Sequence, residues 1–201
     1  MGPQVFIGQA DSTIPAVVLF WIIFYVWVGS EMFLGWKTRL TEGAVARDAG
    51  SRWLLISAIW LGVAIGIAVA FAVPGTAFRS GRRPLFYLGI ALMVAGLGLR
   101  WYSIRVLGKS FTYTVATREG QTVVEDGPYK WIRHPSYTGA LLTLLGVFLC
   151  MTNPLSFLGM IPPLAGYAYR IHVEERALVR NLGDSYRSYM QRTKRLIPFL
   201  I

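Results

Sequence analysis

Gly127 to Gly139 hold the densest set of groups able to do chemistry: Tyr129, Lys130, Arg133, His134, Ser136 and Tyr137, punctuated by Pro128 and Pro135. Pro135 drives His134 out of helical geometry and suits the first position of a helix that follows. That helix would turn its positive end, with unpaired N–H groups, toward Arg133 and His134, a setting that welcomes an anion. A basic interfacial anchor with aromatic flanks has the same composition, and composition alone leaves both readings open. A second set, Arg170 to Arg176, carries His172, Glu174 and Glu175. Arg170 and Glu174 are four apart and share a helix face. In isolation this is a solvated charge run with one Arg–Glu pair. Its placement argues for more, because a short helical hairpin would set the end of one helix beside the start of the other. Arg133, His134, Tyr137, Arg170 and Glu174 would then converge on one cytoplasmic pocket at a membrane surface.

Other catalytic patterns are missing. The sequence has no nucleophile elbow, P-loop, HExxH or paired Cys–His spacing, so no metal site is expected. Gly96-Leu97-Gly98 is a GxG without a preceding strand, and it reads as small residues for close helix packing. Cys150 is the one cysteine and cannot form an intrachain bridge.

The elements that must position these groups are membrane helices. Of 201 residues, 54% are hydrophobic, and the mean hydropathy is +0.48, more apolar than an ordinary soluble domain. The apolar residues fall in five blocks: Ile14–Leu34, Trp53–Val73, Leu85–Leu99, Tyr137–Met151 and Pro154–Tyr169. The first two match the ~20 residues that cross a hydrocarbon core. The last two read as a tight hairpin turning at Asn153-Pro154, either crossing the bilayer or partly buried in it. The expected fold is an all-α integral membrane bundle of about five transmembrane helices with cytoplasmic, amphipathic C-terminal helices. Residues 1–107 would form a three-helix membrane region, and 108–201 the functional core.

A net charge of +10 raises nucleic acid as a partner, but topology explains the charge better. With five spans and an outside N-terminus, seventeen of the twenty Lys and Arg residues fall inside, leaving the Arg79–Arg83 loop as the dissent. The C-terminus would be cytoplasmic, in the inner membrane if the cell is bacterial. No Lys or Arg precedes the first block, so no segment reads as a cleaved signal peptide. Glu31 reads as snorkelling toward the interface near Lys37. The tail reads as helix to about Leu182, a Gly183-Asp184 break with Asp184 as cap, then a short helix ended by Pro198, an amphipathic segment lying on the membrane.

At these motifs the sequence resembles the isoprenylcysteine carboxyl methyltransferase family, as a prokaryotic-type integral membrane member. That family is similar in turn to the phospholipid N-methyltransferases. The residues that carry the likeness are Gly127-Pro128-Tyr129, Arg133 through Gly139, Glu174-Glu175 with Leu178, then Gly183, Tyr186, Tyr189 and Pro198-Phe199. The resemblance implies S-adenosyl-L-methionine as methyl donor and S-adenosyl-L-homocysteine as product. It implies that Gln121, Thr122, Val123 and Val124 line the donor as a backbone strip. Tyr129, His134, Tyr137, Glu174 and Glu175 would contact it, and Arg170, with Arg133, would serve the acceptor.

Elementary chemistry is consistent with those roles. A sulfonium is a cation that aromatic faces and a carboxylate can hold. An α-carboxylate acceptor, pKa ~3.3–3.7, is already ionised and needs positioning rather than a base. An arginine that grips it too tightly would blunt it, so steering at one oxygen is expected. A phospholipid amine would need a base such as His134 or His172. The expected reaction is carboxyl O-methylation of a lipophilic, isoprenylcysteine-like substrate, small or lipidated, drawn from the bilayer lipids. Phospholipid N-methylation is the alternative. A non-enzymatic scaffold with a basic lipid-binding face is the other alternative, though it leaves Glu174-Glu175 beside the Arg-His-Pro motif unexplained.

Overall fold

The computed structural model describes residues 14–37, 45–46, 50–108, 111, 116–117 and 122–198. Among them run six α-helices: α1 (Ile14–Lys37), α2 (Ser51–Ala72), α3 (Arg82–Leu107), α4 (Pro135–Cys150), α5 (Ile161–Leu182) and α6 (Asp184–Arg192). Short 3-10 stretches at Pro74–Thr76, Gly127–Lys130 and Pro154–Met160 join them. One two-residue antiparallel pair links β1 (Val45–Ala46) to β2 (Ala116–Thr117). The chain is a multi-pass, all-α membrane protein. Helices α1, α2 and α3 are long and apolar enough to cross a bilayer. At 1.5 Å per residue they reach roughly 33–39 Å, more than a hydrocarbon core of ~30 Å. Helix α4, at 16 residues, is shorter.

The core forms where α3 meets α4. Phe86 and Met93 of α3 pack with Leu144, Val147 and Phe148 of α4, all essentially inaccessible to solvent. Their axes approach through glycine on glycine. A Cβ on Gly96 would stand 2.5 Å from the Gly139 carbonyl oxygen, and one on Gly89 would stand 2.7 Å from that of Gly146. The expectation of close packing therefore holds for Gly96. Gly98 faces open space instead. Helix α1 adds one face, Phe20, Phe24 and Trp27, to this core, and leaves Val18, Ile22, Tyr25 and Val26 outward.

The hairpin turns where the sequence placed it. The Asn153 side chain accepts from the Leu155 amide at 3.0 Å and donates to the Val73 carbonyl at 3.1 Å, tying the turn to the end of α2. The tail departs from expectation in three ways. Gly183, with φ 60°, occupies the cap position, so Asp184 is the first helical residue and pairs with Arg187. Helix α6 ends at Arg192 because Thr193 turns extended and Lys194 pairs with Ile132 in a parallel bridge, well before Pro198. The apolar members of α6, Tyr186 and Tyr189, are buried within the protein.

Candidate functional site

Pro135 opens α4 as the sequence demands, with His134 at φ −124°, outside the helical region. The first amides are less open than expected, since Tyr137 and Thr138 both donate to the His134 carbonyl at 3.0 Å. The preceding residues are held by the tail. Arg133 and His134 donate their amides to Lys194 and Arg195 at 2.7 and 3.0 Å, and Tyr189 Oη donates to the Tyr129 carbonyl at 2.7 Å. Thr138 Oγ1 binds the Leu196 carbonyl, and Arg192 forks onto Glu125.

Glu175 is the hub of this clasp. Its buried carboxylate takes Arg133 Nε at 2.9 Å, Arg195 Nη2 at 3.0 Å and His134 Nε2 at 3.4 Å. Burial pushes its pKa up, but the hydrogen bonds from His134, Arg195 and Arg133 outweigh that and lower it to about 2. Arg133 also caps the Met190 and Thr193 carbonyls. Both residues are thus occupied in joining the Arg-His-Pro segment to the tail.

Glu174, one residue earlier on α5, faces the other way. Its Oε2 accepts from Tyr137 Oη at 2.6 Å and lies 3.7 Å from His134 Nδ1. The His134 and Tyr137 rings stack nearly parallel, with centroids 5.4 Å apart. Arg170 Nε donates to the same Tyr137 hydroxyl at 3.2 Å, while its Nη1 reaches Ser51 Oγ on α2. A tyrosine hydroxyl therefore stands between Arg170 and Glu174, where the spacing had suggested a direct pair. Tyr129 is buried nearby; burial first, then the Glu174 charge, raise its pKa, so the phenol stays protonated.

On the Arg170 side of Tyr137 lies a cavity of about 500 Å³. Trp27 and Trp36 of α1 and Trp53 and Trp60 of α2 line it, with Arg52, Arg100, Arg170, Glu31 and Tyr137 among its polar members. Glu31, expected at the interface, instead forks onto Arg100 of α3, whose Nη2 lies 2.6 Å from Oε2. Arg100 Nη1 also binds Ser136 Oγ at 3.0 Å and the Ser136 carbonyl at 3.3 Å.

Of the residues singled out from sequence, Tyr137 and Arg170 line the cavity. Tyr129, His134 and Glu174 gather around Tyr137, outside the cavity lining. Arg133 and Glu175 lie in the clasp. Thr122, Val123 and Val124 lead without regular structure into the 3-10 turn, and Gln121 lies outside the described residues. Arg100 and Ser51 were missed. Arg100 carried a signal, a charge directly after the apolar block Leu85–Leu99, where ionisable groups are seldom idle. Nothing marked Ser51. Among the described residues no cluster of His, Cys, Asp and Glu could hold a metal ion.

Residues 89–180 match the isoprenylcysteine carboxyl methyltransferase (ICMT) family. Protein-S-isoprenylcysteine O-methyltransferase B of Arabidopsis thaliana is 33% identical over 115 residues, 56% of this chain and 58% of the relative. The Saccharomyces cerevisiae protein-S-isoprenylcysteine O-methyltransferase is 34% identical over 56% of this chain and 48% of its own length. This chain thus spans about half the length of those curated relatives. The Schizosaccharomyces pombe protein of the same name is 28% identical and is matched over 90% of both chains. A solved structure of the eukaryotic intramembrane Ras methyltransferase ICMT superposes with a TM-score of 0.56 at 25% identity, over 76% of this chain and 53% of that one.

Proposed function

The chain belongs, through residues 89–180, to the isoprenylcysteine carboxyl methyltransferase family, and on that premise we propose that it is a membrane-embedded, S-adenosylmethionine-dependent methyltransferase. Its acceptor is the carboxylate of a lipophilic, isoprenylcysteine-like molecule from the bilayer. One observation carries this reading. Three arginines, Arg52, Arg100 and Arg170, stand in the wall of a tryptophan-lined cavity, and Tyr137 joins Arg170 to a carboxylate on the other side.

The donor side fits the chemistry of a cationic nucleoside. Glu174 is partly exposed, at 30% of its side chain, and has one oxygen engaged by Tyr137. The aromatic faces of Tyr129, His134 and Tyr137 supply cation–π and stacking surface beside it. Thr122 to Val124, which lead into the 3-10 turn, are assigned the backbone along the donor's length. When bound, the donor supplies a methyl group to a carboxylate oxygen, its carbon–sulfur bond breaking as sulfur keeps the electron pair and S-adenosylhomocysteine departs.

The chain's own residues position and shield. The guanidiniums orient an acceptor carboxylate that is already ionised, so no base is required. The tryptophans, Ile56 and Ile59 take the apolar part of the acceptor and exclude water. An amine acceptor would need a base within reach of the cavity. His134 is turned between Glu174 and Glu175, and His172 is exposed outside the cavity. The geometry therefore favours O-methylation. Residues 108–201 supply the donor side, and α1 and α2 supply most of the acceptor wall. The charge distribution supports an outside N-terminus and a cytoplasmic C-terminus, which puts the donor side in the cytoplasm.

The test is transfer of labelled methyl from S-adenosylmethionine to a farnesylcysteine-type acid by the purified protein, with S-adenosylhomocysteine binding measured by calorimetry. An alkali-labile methyl ester and micromolar-range product binding are expected. Absence of both transfer and binding would overturn the reading.

A further inference from the structure

Glu31 has no place in the chemistry so far, yet it holds one of the three arginines, Arg52, Arg100 and Arg170, that line the cavity. It reaches from α1 to α3 and engages Nε and Nη2 of Arg100 with both carboxylate oxygens. The pair is largely screened from water, with side-chain exposures of 21% for Glu31 and 7% for Arg100. Both residues line the cavity. An acceptor carboxylate arriving there meets a guanidinium whose forked edge already carries a carboxylate.

We propose that Glu31 is a positioning residue that acts through Arg100 as a built-in competitor for the acceptor carboxylate. The proposal rests on the reading of the cavity as an acceptor site, and it adds a reason for the pair. In a low-dielectric wall, several guanidiniums around one carboxylate would bind it strongly. Methyl transfer from a sulfonium to a carboxylate consumes both charges. The acceptor's negative charge is therefore largest in the ground state and smaller in the transition state. Cationic grip on that oxygen stabilises the bound acid more than the transition state, which tightens binding and slows the chemical step. Glu31 neutralises one of these guanidiniums and so reduces the cationic grip on the acceptor, leaving Arg170 and Arg52 in the wall. It also lowers the preference of the site for the anionic acid over the neutral ester product.

A purely structural pair, tying α1 to α3, makes a different prediction. Losing it would loosen the cavity toward acid and ester alike.

The decisive experiment is equilibrium binding, read from quenching of the tryptophans in the cavity wall. The full chain in nanodiscs is titrated with a farnesylthioether carboxylic acid and with its methyl ester, for the natural sequence and for Glu31→Gln. The inference expects the acid to bind roughly tenfold tighter to Glu31→Gln, the change that about 1.4 kcal/mol produces, with ester affinity unchanged. An unchanged ratio of acid to ester affinity, or weaker acid binding, would overturn it. Where Glu31→Gln is not monodisperse, Glu31→Asp keeps the charge on a shorter stem. A smaller rise in the same ratio is then expected, and no rise would overturn the proposal. Turnover separates this inference from the function it rests on. Failure of the natural sequence to transfer methyl condemns the enzymatic reading, whereas the acid-to-ester ratio judges Glu31 by itself. Given turnover, Glu31→Gln lowers KM and kcat together, and a raised KM at unchanged kcat would contradict the account.

Discussion

Two adjacent carboxylates of α5, Glu174 and Glu175, serve opposite sides of His134. Successive residues on a helix point about 100° apart, so neighbours in sequence need not share a task. Glu174 meets Tyr137, on whose other side Arg170 stands, while Glu175 clasps Arg133 and Arg195. The depressed pKa of Glu175 makes the clasp pH-sensitive in one direction. Its carboxylate contributes stability above about pH 4.5 and loses it as the pH falls toward about 2. Thermal midpoints measured in detergent should drop across that window by the equivalent of about 3 kcal/mol, and Glu175→Gln should flatten this part of the curve. The residue types at the site were legible in the sequence, and so was the meeting of the Arg-His-Pro segment with α5. Their partners were not. Whether Arg133 faces a cavity or a tail carbonyl depends on how residues 193–195 fold back, which no local pattern encodes. Arg100 and Glu31 lie 69 residues apart, and their pairing is set by how α1 leans on α3.

At the scale of elements, the α3–α4 contact decides where Arg100 stands. Arg100 follows Gly96 by one turn, and the Gly139 backbone presses against both. A methyl group on Gly96 would overlap the Gly139 carbonyl and Thr143, so Gly96→Ala should cost about 1–3 kcal/mol and move Arg100 off Ser136. Gly98, with nothing within 4 Å, is the control, and Gly98→Ala should be neutral or stabilise by up to about 1 kcal/mol. Thermal unfolding of the two variants side by side checks this. Helix existence was legible because membrane helices announce themselves by length and apolarity. Asn153 marked its turn for the same reason, a polar residue before a proline inside an apolar stretch. The ends of the tail helix were not legible. Asp184 looks like a cap, but Gly183, with its positive φ, already makes the break, and Thr193 turns extended so that Lys194 pairs with Ile132.

At the scale of the molecule, the N-terminal helices do more than anchor. They bring tryptophans, Glu31 and Arg52 to a cavity whose other arginines come from α3 and α5. The basic excess reports topology over most of the chain, and Arg52, Arg100 and Arg170 are its members in the cavity wall. Tyr137 is the meeting point, with the donor side at Glu174 and the acceptor side at Arg170. Calorimetric titration of S-adenosylhomocysteine into Glu174→Ala and Arg170→Ala tests that partition most directly. The account predicts at least about a tenfold loss of affinity, ~1.4 kcal/mol, in Glu174→Ala and less than about a twofold change in Arg170→Ala. Equal losses in the two variants would contradict it.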